Sequence, residues 1–345
     1  MRLGFISILV FASMRLFAES AQFPVPAVSA ERCRFILAEF ADGMLKSGCG
    51  SGALCAVWNG RTIMAEHIQI SDSPEGNDQK FALGKTSAEL VRICAAEMEK
   101  SGKLNAGAPF SSQCSLFRMK MGGKSSLASL EDLLGMRAGV DPHADSLVPR
   151  EASAEELFDV AAQISAVSYP GGDFEYSKVS LCLGAYGIGY IFFKESPSPD
   201  KDLKKAFVSA MKKYVFAPLD ISQNISLVNV DDPLFAASAF AIDKNGLAKW
   251  LEFETSSGNP EISLRRKASG KDRRGGIWLN SSVADRELEM CGDYAWETAH
   301  IIAVFPRFNA AFAAFAKGNS KEASQLCAKA LKTFAESLAF PSQKK

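Results

Sequence analysis

Three short stretches place reactive side chains in chemically suggestive company. "FALGKTSAEL", residues 81–90, sets Lys85 and Ser87 at the first turn of a helix that runs on through "VRICAAEMEKSGKL". "YPGGDFEYSKVS" brings Tyr176 and Lys178 just after a Pro-Gly turn, and "ETAHIIAVFP" opens an apolar run with Glu297, Thr298, Ala299 and His300. Acyl transfer asks for a serine at a helix start with a lysine one turn on, S-x-x-K, so that the lysine helps carry the hydroxyl proton. At 85 and 88 that spacing holds Lys85 and Ala88 instead. Ser87 is two residues further, roughly 200° round a helix, and so faces another way. Ser209-Ala-Met-Lys212 also spells S-x-x-K, but a four-residue match without context says little.

Metal and cofactor chemistry finds no pattern here. His67, His143 and His300 are far apart, and none shares ligand spacing with a cysteine pair. The eight cysteines contain no CxxC and no short-spaced framework. Neither a metal nor a cofactor is expected. Lys+Arg and Asp+Glu both number 39, so no global field recruits nucleic acid or an anionic membrane. The run "LRRKASGKDRRGG", 264–276, is locally basic; it reads as a solvated loop or as a contact for anionic polymer or lipid headgroups.

The elements that must position these residues follow from pattern. Residues 1–20 hold Arg2, an apolar run from Leu3 to Met14, and small residues around Ala18-Glu19-Ser20. That shape predicts a secretory signal peptide and an exported, periplasmic or secreted protein; Arg15 leaves an uncleaved anchor as the other reading. No other stretch is apolar for long enough to span a bilayer. Ser29 caps a helix with Cys33, Ile36, Leu37, Phe40 and Met44 on one face. "ALCAVWNGRTIMAEHIQI" reads as a hairpin about Asn59-Gly60. Residues 111 to about 221 pattern as helices, with a capping box at Ser153–Glu156. "GIWLNSSV", "HIIAVFPRF" and "AAFAAFA" are strand-like, and a last helix starts at Ser320. The simplest closure is α/β (α+β): one antiparallel sheet from 29–110 and 235–340, flanked by the terminal helices, with 111–234 as an all-helical insertion.

These segments, in this order, resemble the serine β-lactamase and penicillin-binding-protein superfamily, in its class C, esterase and D-aminopeptidase branch. "FALGKTSAELVRICAAEMEKSGKLNAGAPF" is similar to its nucleophile-helix segment, and "ASLEDLLGMRAGV" to its Leu-Leu-x-x-x-Ser-Gly stretch with Ala138 in the serine's place. "YPGGDFEYSKVSLCLGAYGIGYI" resembles its Pro-Gly-x-x-Phe-x-Tyr-Ser-Asn segment, and "YVFAPLDIS" its Phe-x-Pro-Leu-Gly-Met signature. The resemblance puts the nucleophile on Lys85 and its lysine on Ala88. It keeps Tyr176, puts Lys178 where an asparagine belongs, and places the third motif at Glu297-Thr298-Ala299. It therefore implies a protein that has lost serine-hydrolase activity and keeps a binding or scaffold role; an esterase or D-amino-acid peptidase with a displaced nucleophile is the alternative. Tyr176 reads either as a packed aromatic or as a vestigial cleft residue. If the alignment holds, Lys85, Tyr176 and Lys178 share a pocket in which Glu297, or a small anionic or peptide ligand, offsets the two ammonium groups. The other reading has both lysines reaching to water.

Overall fold

The computed structural model describes residues 28–70, 79–195, 202–256, 273–275, 278–295 and 297–338. The segment 1–20, most of the basic run 264–276 and Trp296 lie outside them. No helix among the described residues is long and apolar enough to cross a membrane.

Helix α1 (Ala30–Ser47) is capped by Ser29, whose side chain accepts the Arg32 N–H, and ends at Gly48 in the left-handed region. Strands β1 (Ser51–Trp58) and β2 (Arg61–Gln69) follow. They turn on Asn59 and Gly60, both at positive φ, the geometry that two-residue hairpins require. After β3 (Phe81–Ala82) comes α2 (Ser87–Lys100), then the hairpin β4 (Lys120–Met121) and β5 (Lys124–Ser125). The helices α3 (Leu130–Leu134), α4 (Ala154–Gln163), α5 (Lys178–Glu195) and α6 (Leu203–Met211) come next. Strands β6 (Ile225–Leu227) and β7 (Phe240–Ile242) lead to α7 (Lys244–Thr255). The chain closes with β8 (Arg273–Gly275), β9 (Trp278–Val283), β10 (Arg286–Ala295), β11 (Thr298–Phe305), β12 (Ala310–Lys317) and α8 (Ser320–Ser337). The stretch 111–234 is thus mainly helical but also carries β4, β5 and β6. A small sheet β3-β7-β6 joins it to residues on either side, which the pattern did not anticipate.

The main sheet runs β2-β1-β12-β11-β10-β9-β8, with every paired neighbour antiparallel. β12 lies between β1 and β11, so the amino-terminal hairpin and "HIIAVFPRF" belong to one sheet. Its sequence "AAFAAFAK" is apolar at nearly every position because both faces are covered. Phe312, Ala314 and Ala316 pack with α1 and α8, while Ala311, Ala313 and Phe315 face the opposite core. Phe334 of α8 stacks on Phe312 with ring centroids 4.7 Å apart. On the other face α2 is buried along almost its whole length. Behind it α5 crosses α6 closely at Gly189, where a Cβ would lie 2.7 Å from the Leu203 carbonyl oxygen. α2 is therefore a buried spine, and the 3₁₀ turn Gly84–Thr86 that leads into it packs on β10.

Candidate functional site

The site is built where the 3₁₀ turn Gly84–Thr86 leads into α2, against the end of β10. The Lys85 backbone N–H donates to Asp293 Oδ2 at 2.8 Å, and Lys85 Nζ stands 3.4 Å from Asp293 Oδ1. One carboxylate thus uses both oxygens on one residue, at a helix start where backbone amides and dipole favour negative charge. Gly84 makes room for it. Its φ is +49°, and a Cβ there would fall 2.3 Å from Asp293 Oδ2.

Asp293 lies directly across from His300 on β11. His300 is buried and stacks on Phe315, with centroids 4.9 Å apart and planes 11° from parallel. Its Nε2 is 2.8 Å from Thr86 Oγ1, itself fully buried, while Nδ1 has no hydrogen-bond partner among the described residues. Burial pushes the imidazole pKa down to about 4; Asp293 opposes that shift and Lys85 adds to it. His300 is therefore a neutral ring at neutral pH.

Tyr176 precedes α5. Burial raises its phenol pKa first, and the charges of Asp293 and Asp145 raise it further. A protonated phenol thus stands within the field of two carboxylates. Asp145, from the 3₁₀ segment Pro142–Leu147, caps α5 by accepting the Lys178 N–H at 3.2 Å and the Val179 N–H at 3.0 Å. Lys178 is half-buried at that helix start.

The residues expected from the sequence separate on this frame. Lys85 contacts Asp293 directly, Tyr176 feels Asp293 and Asp145 through their charges, and Lys178 donates its backbone N–H to Asp145. Ala88 is buried one turn beyond Lys85 and carries no polar group. Ser87 is fully buried, and its Oγ accepts the Phe240 N–H of β7 at 3.2 Å, away from Asp293. Ser209 is exposed on α6 and its hydroxyl donates to the Lys205 carbonyl at 2.9 Å. Glu297, Thr298 and Ala299 lie in the β10–β11 turn and at the start of β11. Glu297 is exposed in the β10–β11 turn at φ +60°. Thr298 is buried opposite Ala295, and Ala299 belongs to the core under α1 and α8, where Cys327 Sγ donates to its carbonyl. The strand that meets Lys85 is β10, through Asp293 and Ala295, so the carboxylate beside the lysine is Asp293 and not Glu297. The available signal was the short alternation Glu287-Leu288-Glu289-Met290 in "RELEMCGDYA", which breaks at Cys291-Gly292 before Asp293.

No family model matches the sequence, and no curated protein matches it. Solved structures do. An octameric penicillin-binding protein homologue from Pyrococcus abyssi superposes with a TM-score of 0.67 at 13% identity, covering 88% of this chain and 77% of that one. A class C β-lactamase from Rhodobacter sphaeroides gives 0.66 at 15% identity over 88% and 99% of the two chains. EstCE1, described as a hydrolase with promiscuous acyltransferase activity, gives 0.66 at 14% over 90% and 100%. The chain has the serine β-lactamase and penicillin-binding-protein-like fold.

Proposed function

We propose that this protein is exported and non-catalytic, using a β-lactamase-like cleft for binding or support in place of acyl transfer. One observation carries the reading: Lys85, on which the sequence resemblance puts the nucleophile, offers an ammonium and a backbone N–H that are both engaged by Asp293. Ala88 supplies no base one turn later. Losing nucleophile and lysine together removes the mechanism itself, and a shared fold does not restore it. The candidate replacements support the same reading, since Ser87 Oγ is committed to a buried backbone amide and Ser209 lies on an exposed helix face. The ligand class that suits the cleft is a small anion or peptide carboxylate, matched to Lys85 with the Tyr176 hydroxyl as donor. The amino-terminal run from Leu3 to Met14 supports export.

The test is covalent labelling of the purified protein with a fluorescent penicillin and with a fluorophosphonate. No stoichiometric adduct and no turnover of a chromogenic ester are expected. An adduct that vanishes in Ser87→Ala or Ser209→Ala would establish the displaced-nucleophile hydrolase instead. Export is checked by sequencing the amino terminus after expression with the native leader, where a new terminus near Ser20 is expected and an intact Met1 in the cytoplasm would contradict it.

A further inference from the structure

We propose that Asp293 is a resident stand-in for a ligand: its carboxylate fills the anion position formed by the Lys85 amide and ammonium and so keeps the cleft closed to external carboxylates. The inference rests on the binding reading above and adds how that binding is controlled. Three features of different kinds converge on it. The carboxylate satisfies two donors of one residue, as a bound carboxylate would, with Oδ2 on the N–H and Oδ1 toward Nζ. Gly84, at a φ that side chains rarely adopt, leaves the space into which Oδ2 fits. The pair is also partly open to solvent, with side chains 39% exposed for Lys85 and 20% for Asp293, so an external anion can reach the same donors.

The neighbours leave the balance of charge with these two residues. Thr86 and Tyr176 bring hydroxyls, and His300, stacked on Phe315, is hydrogen-bonded to Thr86 rather than to Asp293. Asp145 is taken up by the backbone amides of α5. If Asp293 leaves, Lys85 keeps a positive charge and an unsatisfied amide, and a carboxylate from solution is the group that completes both. While Asp293 stays, it competes from a tethered position at an effective concentration in the millimolar range or above. A free carboxylate therefore loses to it. Asp293 sits two residues before the end of β10, so a small shift of that strand end is enough to clear the position.

The experiment titrates sodium acetate, at ionic strength held constant with chloride, into the purified wild-type protein, Asp293→Ala, Asp293→Asn and the double variant Asp293→Ala/Lys85→Ala. The readout is the chemical shift of the Lys85 amide, or in the double variant of its neighbours, with circular dichroism reporting the fold. Asp293→Ala is expected to bind acetate about ten-fold or more tightly than wild type, the margin set by removing an intramolecular competitor. That gain should vanish in the double variant. Asp293→Asn should lie between, because its amide oxygen still accepts the Lys85 N–H without the charge. Equal acetate affinity in wild type and Asp293→Ala overturns the proposal, as does a gain that survives loss of Lys85. If Asp293→Ala does not fold, Asp293→Asn decides: tighter binding than wild type sustains the lock, and equal binding ends it. Penicillin labelling of the wild type would overturn the non-catalytic reading without touching these comparisons, and equal acetate affinities would overturn the lock while leaving that reading in place.

Discussion

His300 shows burial and charge in opposition at the scale of a single residue. Its imidazole titrates near 6.5 in an unfolded chain and near 4 in the folded one. Between those values the unfolded state takes a proton that the folded state refuses, so stability is complete above pH 6.5 and falls as pH drops toward 4. The loss over that window is on the order of 3 kcal/mol from this ring alone. His300→Gln is expected to flatten that part of the profile, measured by urea unfolding at several pH values in the window; an unchanged slope would contradict the assignment. Gly84→Ala should cost roughly 2 kcal/mol or more, through the positive φ and the approach of Asp293. A parallel denaturant series reads it, and a neutral result would mean that Asp293 moves aside freely. Lys85, Ala88 and Tyr176 were legible in the sequence because each stands in a short stretch whose neighbours carry the resemblance. Asp293 was not. Its role comes from a contact with a residue 208 positions away, and no local spacing encodes that.

At the scale of elements, legibility followed the strength of the local signal. The Ser29 cap, the Asn59-Gly60 hairpin and the Ser153–Glu156 capping box all appear as patterned. β10 was missed because the short alternation Glu287-Leu288-Glu289-Met290 breaks at Cys291-Gly292, before Asp293. With β10 unread, the carboxylate beside Lys85 was sought in the β10–β11 turn, at Glu297, in place of Asp293. The two-residue strand β3 and the three-residue strands β6 and β7 are too short for periodicity to reveal. Glycines within α5 had a packing reason that the sequence showed only as a run, "LGAYGIGY". Gly189 brings α5 against the α6 backbone, with a Cβ placed 2.8 Å from Phe207 N. Gly189→Ala is therefore expected to lose about 1–3 kcal/mol through overpacking. Gly107→Ala, whose Cβ would meet nothing closer than 3.8 Å, serves as the neutral control. Thermal melts of the two variants should separate clearly, and coincident melts would mean that α5 and α6 slide apart without cost.

For the whole molecule, the joining of early and late strands into one sheet was legible because strands appear at both ends and helices between. What pattern alone did not order was the sheet's interior, where β12 is the hinge of the topology. All eight of its residues pair with β1 on one side and with β11 on the other. β10, and with it Asp293, is attached through β11. A chain ending at Phe305 would lose β12 and α8 together. It would also lose Phe308, Phe312, Phe315, Leu326, Leu331 and Phe334, all buried. At about 1.5–3 kcal/mol for each buried side chain, six of them reach the whole net stability of about 5–15 kcal/mol that a domain possesses. The truncated chain should therefore show no cooperative melt, even though Lys85, Tyr176, Asp293 and His300 are all still present in it. Adding residues 306–345 as a separate peptide should restore the melt if β12 can re-enter between β1 and β11. A cooperative transition in the truncated chain alone would mean that the two halves of the sheet stand independently. The contact between Lys85 and Asp293 would then be held by the helices rather than by the continuous sheet.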